Sequence, residues 1–364
     1  MSVSDRRTIE TVTILRRVDS LTALRGLAAW LVVLTHCLRL GESLGIEAPA
    51  WLRWLDLGNF AVLVFFCLSG FTLILTHERD RWDATGWTRF LTRRVFRVYP
   101  SFLASFVVCL AAVIPLQSAH ILPHGTWIGD SNRIPDPAAA LAILSFTANV
   151  FGIDGDVNNV FWSLPIEFQF YLLFPILALL LQRSAVAALA AAAALAVAGR
   201  LGHWPGQTAD LAWIFVGGMV AGWLFARRRT TWPPLAAGLV ALVALVPAIA
   251  LSNTPHEALR GLPGPLSLYF GVSAIAVVMA SAQIRRPGRA LIGQGEISYS
   301  IYLFHTPPIL LAFWLVQRLA LQGGAALLLI YAVVIPGTWA AATTLHRLVE
   351  RPGMALGRRL STQR

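Results

Sequence analysis

The sequence predicts an all-α integral membrane protein, a polytopic bundle of about ten transmembrane helices with both termini in the cytoplasm. Composition gives the class, because 57% of the 364 residues are hydrophobic and only 13% are charged, whereas a soluble domain carries about 25% charged residues. Mean hydropathy is +0.66. These values exclude a disordered chain, a coiled coil and an ordinary soluble enzyme. Spacing of the apolar runs and placement of the arginines supply the topology.

A transmembrane helix needs about 20 mostly apolar residues. Ten runs meet this requirement, and in chain order they are 21–40, 58–76, 99–117, 162–181, 184–199, 210–226, 232–251, 266–282, 297–319 and 324–346. A further run, 137–152, is shorter and contains Asn149. We expect this run to be re-entrant or interfacial rather than spanning.

Arginine placement fixes the predicted orientation. The chain has no lysine, so all 29 basic residues are arginines. With the N-terminus inside, 22 of them fall in cytoplasmic segments, six fall outside and Arg25 lies within the first span. If 137–152 crossed the membrane, Arg227–Arg229 and Arg285–Arg286 would face outward, against the positive-inside rule. The positive charge therefore indicates topology, and we expect no nucleic-acid partner.

The whole chain is expected to form one membrane domain. Its cysteines lie singly in apolar runs, without the spacing of a disulfide framework or a zinc site, so we expect no metal. They are Cys37, Cys67 and Cys109. The N-terminal segment has no cleavage site of a signal peptide. The predicted organisation is one domain over 1–364, with cytoplasmic tails at 1–20 and 347–364.

Arg25 and His36 are ionisable residues on the first span, 11 residues apart. At about 100° per residue they share one helix face, about 16 Å apart along the axis. An ionisable group at bilayer depth costs several kcal/mol unless it is paired or hydrated, so it is a functional candidate. A snorkelling arginine and a hydrogen-bonded core histidine explain the same residues, and both interpretations stay open.

Glu167 lies five residues inside the fourth span, in the segment WSLPIEFQFY at 162–171. Its expected depth matches that of His36. A carboxylate there is expected to orient the imidazole and to stabilise its protonated form, as in general acid–base catalysis. A carboxylate paired with a nearby arginine purely for packing is the alternative.

Arg89, Arg93, Arg94 and Arg97 share one face of a predicted helix just before Tyr99-Pro100. Four guanidinium groups on one face suit a multiply phosphorylated ligand. They also suit topology determination or contact with anionic lipid.

The ninth span begins with a polar stripe in the segment GEISYSIYLFH, residues 295–305. Ser298, Tyr299, Tyr302 and His305 recur at helical spacing within it. The stripe fits the lining of a cavity and equally an interhelical hydrogen-bond seam.

In these four segments the sequence resembles the integral-membrane acyltransferase-3 family, whose members O-acylate surface sugars, lipopolysaccharide, exopolysaccharide, Nod factors and macrolides. Arg25 with His36 resembles the Arg-x10-His element, and Arg93 to Pro100 resembles the RRxxR element. The segment at 162–171 resembles the WSLxxE element, and Ile297 to His305 resembles the SYSIYLxH element. The blocks follow family order. Phe168 and Pro165 depart from the pattern, since many members have Glu and Ser there.

The resemblance implies a role for each matched residue. His36, Glu167 and Arg25 would be catalytic, while Arg93, Arg94 and Arg97 would hold the phosphates of acyl-CoA. Candidate substrate-binding residues are Trp162, Ser163, Tyr171, Tyr302 and His305. No SGNH hydrolase-like domain is found in the sequence, so we expect a stand-alone enzyme.

The expected function is therefore that of a bacterial inner-membrane O-acyltransferase. It would transfer an acyl group, most simply acetyl from acetyl-CoA as co-substrate, to a hydroxyl of a sugar or glycolipid. His36, together with Glu167, would act as the general base or would carry the acyl group itself, and no metal or redox cofactor would be needed. The alternative is a transporter or flippase for an anionic glycolipid or metabolite, with His36 and Glu167 as a proton relay. A membrane scaffold explains the arginines but not these two residues.

Overall fold

The computed structural model describes residues 3–78, 80–153, 157–201, 207–228, 232–252, 263–284 and 286–362. The regular secondary structure in these ranges consists of helices joined by turns and loops, without a strand. The α-helices are α1 Val3–Ser43, α2 Ala50–Arg53, α3 Gly58–His77, α4 Ala84–Ser118, α5 Trp127–Asp130, α6 Pro137–Leu144, α7 Ser163–Arg183, α8 Ala185–Leu201, α9 Gln207–Arg228, α10 Pro234–Ser252, α11 Pro263–Ser281, α12 Arg289–Glu296, α13 Ser298–Phe304, α14 Thr306–Arg318, α15 Gly323–Leu345 and α16 Arg351–Thr362. A 3₁₀ turn, Asn159–Trp162, precedes α7, and a π-turn, His346–Glu350, joins α15 to α16.

The predicted class, an all-α polytopic membrane protein, is confirmed. Six helical segments within the described ranges are long and apolar enough to cross a membrane, and the bent pair α13–α14 makes a seventh. Three shorter apolar helices, Ala185–Gly199, Leu235–Val246 and Tyr269–Ser281, fall in three more of the predicted spans. The count of ten and the side of the termini stay predictions. In the run 137–152 only the eight residues of α6 are helical, which is too short to span a bilayer.

The chain divides into two compact units, each drawn from three stretches of sequence. Unit 1 comprises Met1–Val32, Trp54–Glu78 and Ile214–Ser298, and unit 2 comprises Val33–Arg53, Arg79–Trp213 and Tyr299–Arg364. The predicted single domain stays a prediction.

Glycines bring helix backbones close together in unit 1. A Cβ atom at Gly70 of α3 would lie 2.1 Å from the backbone oxygen of Phe215 on α9, and one at Gly218 would lie 2.2 Å from that of Cys67. A Cβ at Gly295 of α12 would lie 1.8 Å from the oxygen of Thr22 on α1. Because lipid gives no hydrophobic drive for helix association, small residues at such crossings permit the close contact that holds helices together.

In unit 2 the C-terminal residues form a helix, so the predicted tail 347–364 is structured where it is described. Gly353 and Gly357 place α16 against Phe96 and Pro100 of α4, with contacts of 2.6 to 3.0 Å for an added Cβ. Helix α16 therefore lies along the part of α4 that carries the arginines.

Candidate active site

His36 and His305 form a buried pair in unit 2. The Nδ1 atom of His36 lies 2.7 Å from Nε2 of His305, and the side chain of His305 is fully buried. The ring centroids are 4.9 Å apart. His36, predicted to be catalytic, therefore has as its direct partner a second residue from the predicted set.

A helix break positions His305. Helices α13 and α14 meet at this residue with a 40° bend, because Pro307 and Pro308 have no N–H for the carbonyls one turn earlier. The carbonyl of Leu303, which would otherwise accept from residue 307, accepts from Ser105 Oγ at 2.9 Å and Asn158 Nδ2 at 3.0 Å. The predicted ninth span 297–319 is thus a broken helix with a histidine at its break.

Two asparagines ahead of α7 complete this part of the site. Asn158 is fully buried, and its Oδ1 accepts a 2.7 Å hydrogen bond from Thr306 Oγ1 at the start of α14. Asn159 is half-buried, and its Nδ2 lies 3.3 Å from Nε2 of His36. The sequence analysis missed both residues, although an Asn-Asn pair that ends two residues before the WSL block was a signal.

Trp127 lies beside His36, with ring centroids 4.9 Å apart. It belongs to the short helix α5, which is tied to the end of α1 by a 3.3 Å hydrogen bond from the Ile128 N–H to Ser43 Oγ. The loop after α5 is tied to α4 by a 2.8 Å bond from the Ile134 N–H to Gln117. These links hold an aromatic ring against the imidazole. No motif around Trp127 distinguishes it in the sequence.

Further polar contacts continue along α7 and α13. Ser163 Oγ and Tyr302 Oη are 2.7 Å apart, and Tyr302 Oη also donates to the Val160 carbonyl at 3.3 Å. One turn later on α7, Glu167 accepts a short hydrogen bond from Tyr171. Because Ser163, Glu167 and Tyr171 are spaced by four residues, they form one stripe on α7. Trp162, at the end of the 3₁₀ turn, is half-buried.

The arginine run adjoins the other end of this stripe. The guanidinium of Arg94 lies over the ring of Tyr171, 5.5 Å from its centroid, and 5.2 Å from that of Phe90. Arg97 lies within electrostatic range of the Tyr171 hydroxyl. Arg93 is exposed, and its Nε donates to Ser361 Oγ of α16 at 2.8 Å.

A cavity of about 220 Å³ lies beside the contact between Arg93 and Ser361. It opens between the start of α4 and the end of α16 and is lined by Ala84, Thr85, Thr88, Arg89, Thr92, Leu360 and Ser361. Most of the side chains that line the cavity carry a hydroxyl group, and Arg89 adds a positive charge. The arginine face predicted from sequence therefore borders a real concavity.

The structure separates two residues that the sequence analysis paired. Glu167 hydrogen-bonds Tyr171, whereas the ring nitrogens of His36 contact His305 and Asn159, and no hydrogen bond joins Glu167 to His36. The position expected for the carboxylate, next to the imidazole, is occupied by His305. Arg25 is half-buried on α1 in unit 1.

Comparison with known proteins agrees with the four sequence blocks. Residues 18–345 match the family described as acyltransferase domain, acyltransferase 3. The chain belongs to the acyltransferase-3 family. Among curated proteins it is similar to acyltransferase MdmB of Streptomyces mycarofaciens, 28% identical over 94% of this chain and 93% of that protein. No solved structure matches the chain.

The matches to two further relatives cover most of the length of those proteins. Nodulation protein 10 of Rhizobium leguminosarum bv. viciae is 24% identical over 94% of both chains. Exopolysaccharide production protein ExoZ of Rhizobium meliloti is 27% identical over 83% of this chain and 91% of that protein. As an acyltransferase-3 protein with several membrane-spanning helices, this chain is a multi-pass membrane acyltransferase.

Proposed function

We propose that this acyltransferase transfers an acetyl group from cytosolic acetyl-CoA to a hydroxyl of a sugar or glycoconjugate, in the bacterial inner membrane. One observation carries the proposal: within unit 2, a row of polar side chains extends from the arginine run of α4 to a buried pair of histidines. In order they are Arg94, Tyr171, Glu167, Ser163, Tyr302, His305 and His36. The arginine end suits a polyanionic donor, and the histidine end suits proton transfer.

Donor binding would use the arginine face of α4. Arg93, Arg94 and Arg97 offer planar guanidinium groups that pair with phosphate oxygens through two parallel hydrogen bonds. The hydroxyl-lined cavity beside Arg89 would take polar parts of the nucleotide. The pantetheine arm would follow the α7 stripe toward His36. Glu167 would lie beside that path, hydrogen-bonded to the Tyr171 hydroxyl, rather than touch the imidazole.

His36 would act as the general base. Its Nε2 takes the proton of the acceptor hydroxyl while that oxygen attacks the thioester carbonyl carbon. The C–S bond of the resulting tetrahedral intermediate breaks, giving the ester, and the imidazolium returns the proton to the CoA thiolate. Asn159, 3.3 Å from Nε2, lies where an amide N–H can donate to a developing oxyanion.

The acceptor class rests on two supports. The name of ExoZ concerns exopolysaccharide production, and Trp127 presents a half-buried ring next to His36. A flat amphipathic ring offers apolar area together with a polar edge, which suits a sugar ring. Arg25 belongs to the Arg-x10-His element, and its proposed catalytic role rests on that resemblance.

The test compares surface glycans from cells that lack the gene and cells that carry the wild-type or the His36→Ala gene, by mass spectrometry. We expect O-acetyl mass increments with the wild-type gene and none with His36→Ala at equal membrane abundance. Persistence of the increments with His36→Ala would refute the assignment. In purified protein, Arg94→Ala should raise the KM for acetyl-CoA. An unchanged KM would indicate that these arginines only determine the membrane topology.

A further inference from the structure

The neighbours of His305 determine which of its ring nitrogens carries a proton. Its Nδ1 lies 3.2 Å from the backbone oxygen of Ile301. A carbonyl oxygen can only accept a hydrogen bond, so Nδ1 must be the protonated nitrogen. In a neutral imidazole the other nitrogen, Nε2, is then an acceptor.

The same logic extends to His36. Since Nε2 of His305 accepts, Nδ1 of His36, 2.7 Å away, must donate and therefore carries its proton. This leaves Nε2 of His36 unprotonated, and its lone pair faces the amide nitrogen of Asn159 at 3.3 Å, which can only donate. The Ile301 carbonyl, the His305 ring and the Asn159 amide thus agree on a single tautomer of His36.

A charged pair would not fit these surroundings. His305 is fully buried and His36 is 9% exposed, and among the described residues no carboxylate forms an ion pair with either ring. Burying an unpaired imidazolium costs far more than burying a hydrogen-bonded neutral ring. The pair therefore rests in the neutral form, with one proton on each ring.

We propose that His305 is a positioning residue, which holds His36 in the tautomer whose Nε2 can accept the proton of the acceptor hydroxyl once that hydroxyl takes the place of the Asn159 amide. The inference rests on the proposed role of His36 as the base. His305 does for the imidazole what a buried carboxylate does in a hydrolytic triad, orienting the ring and fixing its tautomer. The helix break at Pro307-Pro308 and the amide of Asn158 serve to keep His305 at that point.

A spectroscopic experiment tests the tautomer without any substrate. Full-length protein labelled with [15N]histidine would be studied by NMR in lipid nanodiscs. Resonances that disappear in His36→Gln identify His36 among the eight histidines. We expect them to report protonation at Nδ1, and to move to Nε2 protonation or a mixture in His305→Phe. Protonation of His36 at Nε2 in the wild type, or unchanged resonances in His305→Phe, would overturn the inference.

Kinetics supply the second arm. In His305→Gln the amide oxygen can take the place of Nε2 as acceptor, whereas His305→Phe removes the acceptor. A general base contributes about 10²–10⁴-fold to the rate, so we expect kcat to fall by at least about tenfold in His305→Phe and to recover in His305→Gln. The KM for acetyl-CoA should stay constant because the arginine face is unaltered. His346→Gln is the matched control, a half-buried histidine that contacts Glu350 instead.

The outcomes separate this inference from the proposed function. Equal kcat values for His305→Phe and wild type would refute the role of His305 and leave His36 as the base. Full acyl transfer by His36→Ala would refute the proposed function, and the role of His305 with it, whatever the NMR spectra show.

Discussion

A methyl group added at Gly295 tests the close crossing of α12 and α1 in unit 1. The Cβ of alanine would lie 1.8 Å from the oxygen of Thr22 and 2.7 Å from its Cγ2. Ordinary contact begins at 3.4 Å, so the two backbones must separate by about 1.6 Å. The obstacle is mainly backbone and cannot rotate away. Overpacking of this kind typically costs about 1–3 kcal/mol, so we expect Gly295→Ala to destabilise the protein by that amount.

Gly293 offers the matched control on the same helix, because a Cβ there meets nothing within 4 Å. Alanine is favoured over glycine in a helix by about 0.5–1 kcal/mol, so Gly293→Ala should be neutral or stabilising. Thermal unfolding of both purified variants in detergent, followed by tryptophan fluorescence, gives the comparison. A Gly295→Ala protein that melts at or above the temperature of Gly293→Ala would refute the close crossing.

Three other predictions follow from unit 2. Tyr171→Phe keeps the ring beneath Arg94, so the KM for acetyl-CoA should change little. Tyr171→Leu removes about 1 kcal/mol of cation–π attraction and should therefore raise this KM several-fold in steady-state assays. Asn158→Leu leaves the buried hydroxyl of Thr306 without its acceptor and should lower the free energy of unfolding by about 1–3 kcal/mol. Thr306→Val should then lower the free energy of unfolding less in the Asn158→Leu protein than in the wild type. Equal losses in the two proteins would contradict the hydrogen bond between Asn158 and Thr306. Higher salt should raise the KM for acetyl-CoA and spare kcat, because exposed Arg93 is readily screened; a constant KM would argue against phosphate binding there.

Much of the fold could be predicted from the sequence, because each helix that crosses the bilayer needs an apolar run of a set length. Apolar runs of the required length therefore predicted the helical class and most helix positions. The bend at His305 was missed, although Pro307-Pro308 signals a break, because hydropathy averages over a window and takes no account of a missing N–H. The tail 347–364 was predicted only to be cytoplasmic, and its packing was not foreseen, although small residues at four-residue spacing, Gly353 and Gly357, let it pack on α4.

The site was predicted only in part, for a physical reason. Helical spacing brings residues of one helix together, and it correctly grouped Tyr302 with His305. Helical spacing does not show which residues of two different helices meet. Glu167 was therefore predicted to be the partner of His36 only because both were expected at a similar depth in the membrane. The contact that the structure shows, with His305, joins residues 269 positions apart. Asn159 and Trp127 lie outside the predicted spans, where periodicity has no meaning.

The exchange of partners has an energetic rationale. Glu167 beside His36 would place a formal charge among buried groups, and a buried ion pair recovers its desolvation cost only with excellent geometry and further hydrogen bonds. Two neutral imidazoles need no counter-ion, and the protons of both rings have acceptors, the Ile301 carbonyl and the second ring. The carboxylate instead lies half-buried, where it accepts a hydrogen bond from Tyr171, the residue whose ring supports Arg94. In the proposed mechanism, charged groups at the donor end and neutral imidazoles at the transfer end would let a base work at membrane depth while carrying a charge only during the reaction.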